Sequence, residues 1–105
     1  MLLVELEGCV FDADQLRGAH GYVGLDPVAQ EAFVNHIHIS GPGRSARATA
    51  LIESWASQLR ARWPGASFRI YREVTRNEIT VRFHRLRAES PNWAEEGVEI
   101  IEVRT

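Results

Sequence analysis

An α+β fold, with an antiparallel sheet of about four strands and one long helix packed on one face, is what this 105-residue sequence predicts. Three observations carry that expectation. Residues 45–63 hold apolar side chains at helical spacing. Two segments, 67–74 and 78–86, alternate with period two on either side of a short polar turn. A further apolar run follows at 98–103.

Taken in chain order, residues 2–12 are mainly apolar without clean alternation, and helix and strand both remain open there. The segment "RGAHGYVGLDP", 17–27, is rich in glycine, closes on Asp26-Pro27 and reads as a loop carrying His20. From Phe33 the pattern has period two: Phe33, Asn35, Ile37 and Ile39 point one way, and Val34, His36, His38 and Ser40 the other. "SGPGRS" then turns the chain, and Ser45 is placed to cap a helix running to about Trp63. Ala48, Leu51, Ile52, Trp55 and Leu59 form its apolar stripe, and Trp63-Pro64-Gly65 ends it, because proline blocks continuation and glycine accepts a left-handed exit.

In "SFRIYREV", 67–74, Phe68, Ile70, Arg72 and Val74 alternate with Arg69, Tyr71 and Glu73. In "EITVRFHRL", 78–86, Ile79, Val81 and Phe83 alternate with Thr80, Arg82 and His84. The intervening "TRN" makes an antiparallel hairpin the economical reading. "VEIIEV", 98–103, supplies a last short strand after "ESPNW".

An apolar fraction of 45% and a charged fraction of 25% belong to an ordinary globular chain, expected as a single domain over 1–105. One cysteine, Cys9, excludes an intrachain disulfide and reads as a buried thiol. The opening "MLLVELEGCVF" places Glu5 and Glu7 where a secretion signal needs uninterrupted apolar residues, so the expected address is the cytoplasm. The net charge of −2 is segregated: residues 1–43 carry six acids and one base, 44–87 ten arginines and three acids, and 88–105 five glutamates and one arginine. Segregated charge steers and orients association with a charged partner, and it also describes a plain solvated surface.

Several sites suggest themselves. If Phe33, Ile37, Ile39, Ile79, Val81 and Phe83 face the helix, then His36, His38 and His84 face away from it, and they suit zinc only if the strand at 33–40 lies beside that at 78–86, a pairing the sequence does not establish. The spacing supplies no acidic general base, and Arg82 and Arg85 beside His84 repel a cation, so no metal and no cofactor is expected. "HIS", 38–40, matches half of a two-histidine phosphoesterase pair, but Arg85 and Leu86 follow His84 where the other half belongs. "GPGRSA" lacks the Gly-Lys-Ser/Thr ending of a phosphate loop. Arg69, Tyr71, Arg82 and His84 compose a basic face with one aromatic available for stacking on nucleic acid, although the whole chain is acidic.

The stretch "FRIYREVTRNEITVRFHRLRAESPNW", 68–93, resembles a group of small bacterial immunity proteins that accompany secreted or contact-delivered toxins. The likeness lies in the strand holding Ile70-Tyr71, the "EITVRFHRLR" strand and Pro91-Asn92-Trp93, with a compatible helix bearing Trp55 and Trp63 before them. It implies an antitoxin for a polymorphic toxin of the contact-dependent inhibition type, acting by binding alone. The toxins are often nucleases, whose basic substrate sites suit an acidic ligand. On that implication Asp12, Asp14, Asp26 and Glu31, or Glu95, Glu96 and Glu99, are the toxin contacts, with no catalytic residue and no membrane partner. The alternatives are a small nucleic-acid-binding module and a metal-dependent or phosphoester-cleaving enzyme.

Overall fold

The computed structural model describes residues 2–87 and 98–104. The chain opens with a hairpin, β1 (Leu3–Leu6) and β2 (Cys9–Asp12), paired antiparallel from Leu3↔Asp12 to Leu6↔Cys9. Its two-residue turn, Glu7-Gly8, has both residues at positive φ (51° and 82°), the backbone that matches the twist of a tight hairpin. That settles the ambiguous first segment as strand. All four residues of β2 are buried, which is why no polar alternation marks it.

Asp12 ends the hairpin and starts the first helix. Its carboxylate accepts from the Asp14 and Gln15 amides at the N-terminus of α1 (Ala13–Gly18). Asp26 repeats the device for α2 (Pro27–Val34), accepting from the Ala29 amide at 3.0 Å, with Pro27 in the first turn. The period-two reading from Phe33 is therefore corrected. Phe33 and Val34 are helical, Asn35 caps the helix C-terminus, and β3 covers only His36–Ser40. Asp26-Pro27 is a helix start, not merely the end of a loop.

The long helix, α3, spans Arg44–Arg62 and buries Ala48, Leu51, Ile52, Trp55 and Leu59, as its spacing predicts, with Ala56 buried beside them. Ser45 does not cap it. Gly43 holds the N-cap position in the left-handed region (φ 74°), with no side-chain cap, and the Ser45 hydroxyl accepts from Arg72 at 2.8 Å. Gly65, at φ 87°, turns the chain out of the helix end.

Strands β4 (Ser67–Val74), β5 (Glu78–Arg85) and β6 (Val98–Arg104) join β3 in an antiparallel sheet of order β3-β5-β4-β6. The fold is thus α+β, with four strands and one long helix, plus the two-stranded hairpin. Register sorts the sheet into two faces. Ile37, Ile39, Phe68, Ile70, Ile79, Val81, Phe83 and Val103 share the face that packs with Trp55 and Leu59 in the main core. Phe83 meets Trp55 edge-on, with ring centroids 4.7 Å apart. Leu3 and Val10 bring the hairpin into the same core, while Cys9 and Phe11 pack with Val34 in a second, smaller cluster.

Polar bonds fasten the hairpin on both edges. On the β1 side, the Leu3 amide donates to Gln58 of α3 at 3.1 Å, and the Arg62 guanidinium donates to the Leu3 carbonyl. On the β2 side, the Asn35 side chain acts as a strand rung: its amide donates to the Val10 carbonyl at 2.8 Å and its oxygen accepts from the Asp12 amide at 2.8 Å. Beside it, the Glu31 carboxylate accepts from the Val10 amide at 2.7 Å and from the Arg85 amide of β5 at 3.0 Å. Glu31 thereby splices β2 to β5 through its side chain, and Asn35 does so through its side chain on β2 and its backbone carbonyl, which accepts from the Phe83 amide at 3.2 Å.

Candidate functional site

The sheet face away from α3 holds the histidines. Register sets His36 opposite Arg82 and His38 opposite Thr80, with Tyr71 and Arg69 next across β5 opposite Arg82 and His84. All three histidines therefore share a face, which the sequence left open because it does not pair β3 with β5, but they divide by environment.

His84 is fully buried. Its Nδ1–H donates to the Arg85 carbonyl at 3.0 Å, which leaves Nε2 to accept from the Tyr71 hydroxyl at 2.9 Å. Burial pushes its pKa below the ordinary value, and the carbonyl bond and the Glu31 charge only partly oppose that. Tyr71 is itself only 2% exposed, so the stacking residue of the expected nucleic-acid face lies inside the protein. Arg69, from the same expected face, is paired with Glu102 at 3.0 Å.

His36 and His38 lie at the surface, with ring centroids 5.2 Å apart and planes perpendicular. His36 Nδ1 sits 2.5 Å from the Phe33 carbonyl, and His38 Nδ1 sits 3.0 Å from both Glu78 Oε1 and Thr80 Oγ1. Carbonyl and carboxylate oxygens only accept, so each Nδ1 carries hydrogen and Nε2 is the open nitrogen of each ring. Among the described residues no group of three or more His, Cys, Asp or Glu side chains is placed to hold a metal ion.

These two rings form one wall of a hollow of about 460 Å³. Leu25, Ala29, Ala32 and Phe33 line the opposite side, and Arg82 of β5 completes it. A smaller hollow lies beyond Phe33 and His36, bounded by Asp14, Gln15, Gly18, Ala19, His20 and Val34. Within the larger one, Phe33 (46% exposed) and Leu25 (39%) present apolar surface to solvent. The sequence reading missed this feature because it set Phe33 on a strand facing the core. The signal that locates it is Asp26-Pro27: a helix begun there carries Ala29 and Phe33, four residues apart, on one face.

The seven acids named as contacts fall into different places. Asp12 is fully buried and accepts from Trp55 Nε1 at 3.1 Å, besides capping α1. Glu31 is fully buried and pairs with Arg87 at 2.6 Å. These two serve the interior and offer no charge to a partner at the surface. Asp26 is an exposed cap, Asp14 is exposed and paired with Arg17, and Glu99 is exposed on β6. Glu95 and Glu96, like Pro91-Asn92-Trp93, lie outside the described residues. Cys9 is buried, and desolvation with the nearby Glu31 charge pushes its thiol pKa up, away from nucleophilic use. Among the described residues no helix is long and apolar enough to cross a membrane.

No protein-family model matches the chain, and neither a search of curated proteins nor one of solved structures finds a similar protein.

Proposed function

We propose that this chain is a bacterial immunity protein, an antitoxin that binds a cognate toxin domain, probed first as a nuclease, and neutralises it in a stoichiometric cytoplasmic complex without chemistry of its own. The resemblance over 68–93 supplies the class. The structural observation in its support is the exposed apolar pair Leu25 and Phe33 beside Arg82. Aromatic and arginine side chains set among exposed apolar ones have the composition of interface anchors, where most binding energy concentrates. Asp14, Asp26 and Glu99 remain as exposed acids that set the approach of a basic partner. The nucleic-acid alternative gains nothing from the sheet face, because Tyr71 is buried against His84.

An antitoxin must outcompete substrate, which requires nanomolar or tighter binding, roughly −12 kcal/mol. Co-expression with the toxin domain encoded beside it in its genome is the test. The expected result is restored growth and a 1:1 complex on co-purification. Unrelieved toxicity, with no complex recovered, overturns the reading.

A further inference from the structure

We propose that the hollow between α2 and the β3–β5 pair is a binding site for a small phosphate monoester that carries an aromatic ring. The inference stands apart from the antitoxin reading and is measured on the isolated chain.

The first support is Arg82. It is half-buried, yet its guanidinium makes no hydrogen bond, ion pair or ring contact among the described residues. The other half-buried arginines are all engaged: Arg44 with the Gly41 carbonyl, Arg69 with Glu102, Arg72 with Ser45 and Thr49, Arg85 with Glu5, and Arg87 with Glu31. A guanidinium stays charged at every physiological pH and offers five donors in a fork that suits phosphate. Partial burial has cost this one hydration, and no acceptor among the described residues repays that cost.

The second support is the pair of imidazoles on the strand beside it. His36 lies directly across from Arg82, and His38 is two residues further along the same face. The protein holds Nδ1 of each ring, so the second proton each takes up goes to Nε2 and makes it a donor. Three donor groups from two adjacent strands match the three terminal oxygens of a phosphate monoester better than the two of a carboxylate.

The third support is the opposite wall. Leu25, Ala29 and Ala32 are apolar, and the half-exposed Phe33 ring offers a face for stacking. A volume of about 460 Å³ exceeds what a bare phosphate needs and falls within the size range of small-molecule sites. An apolar wall opposite a cationic one calls for a ligand with both characters.

The test is titration of the purified chain with phenyl phosphate, inorganic phosphate and benzoate, followed by calorimetry and by the imidazole proton resonances of His36 and His38. Phenyl phosphate is expected to bind about tenfold tighter than inorganic phosphate or benzoate and to shift both imidazoles. Arg82→Gln, checked for an unchanged melting temperature, should weaken phenyl phosphate at least about tenfold, with Arg82→Lys intermediate. Phe33→Ala should erase the advantage of phenyl phosphate and leave inorganic phosphate binding as it was. Imidazole resonances that stay put at millimolar phenyl phosphate overturn the proposal. So does benzoate binding as tightly as phenyl phosphate, or binding indifferent to Arg82→Gln.

Discussion

Glu31 and Asn35 stand one helical turn apart, and the Asn35 amide donates to the Glu31 carbonyl at 2.7 Å, so their side chains emerge side by side at the C-terminal end of α2. From there they satisfy Val10 and Asp12 of β2 on one side and Arg85 of β5 on the other. Backbone groups that a continuous sheet would have paired are paired instead by two polar side chains.

That arrangement makes Glu31 costly to remove. Glu31→Ala deprives the buried Val10 amide and the partly buried Arg85 amide of their acceptor and takes the carboxylate from Arg87. The expected loss is about 3–5 kcal/mol, read as a shift in the urea midpoint. Glu31→Gln keeps one acceptor oxygen and should lose less. Equal, small effects from both would show that the splice is not needed for stability.

Asp12 and Trp55 form a second buried link, between the hairpin and α3. A double-mutant cycle of Asp12→Asn and Trp55→Phe should give a coupling energy of about 1–3 kcal/mol, as expected for a hydrogen bond to a charged group. Additive losses would mean that the bond contributes nothing of its own. Because Asp12 also caps α1, its replacement should depress stability whether or not a partner is present.

Truncating the helix ridge tests the core. Trp55 and Leu59 are both fully buried. Trp55→Ala or Leu59→Ala should cost about 3–5 and 2–5 kcal/mol respectively, a large share of the stability of a small domain. Melting temperatures within a degree of the parent chain would contradict the burial.

His84 links stability to pH. Its pKa is lowered in the fold by burial, so between the folded value and the ordinary value of about 6.5 the unfolded chain binds more protons. Its contribution is complete above pH about 6.5 and is lost as pH falls through the folded pKa. His84→Gln should flatten that part of the stability profile, measured by urea denaturation between pH about 5 and 7.5. A slope unchanged by the substitution would assign it to other groups.

The exposed apolar pair separates binding from folding. Phe33→Ala removes a half-exposed side chain and should leave stability within about 0.5 kcal/mol. On the antitoxin reading the same change should cost at least about tenfold in toxin affinity. Asp14→Ala with Asp26→Ala should instead slow association and weaken its salt dependence, with a modest stability loss from the missing cap. Undiminished binding by the Phe33 variant would move the contact to another face.

The sequence pattern determined α3 and the β4–β5 hairpin, whose apolar residues recur at helical and strand spacing, and a short apolar run marked β6. The alternation on β3 and β5 also sorted their histidines correctly, away from the core. Tertiary structure decided the rest. Residues 33–40 read as one strand, since a helix end and a strand that both carry apolar residues merge into a single alternating pattern; only docking on β2 and β5 separates them. Asp12 and Glu31 look like surface acids in sequence, because a carboxylate carries no local mark of the distant Trp55, Val10 or Arg85 groups that draw it inside. For the same reason His36 and His84, alike by alternation, became a surface imidazole and a sealed one. Which of them meets solvent depends on the elements laid across the sheet, and no local pattern encodes that.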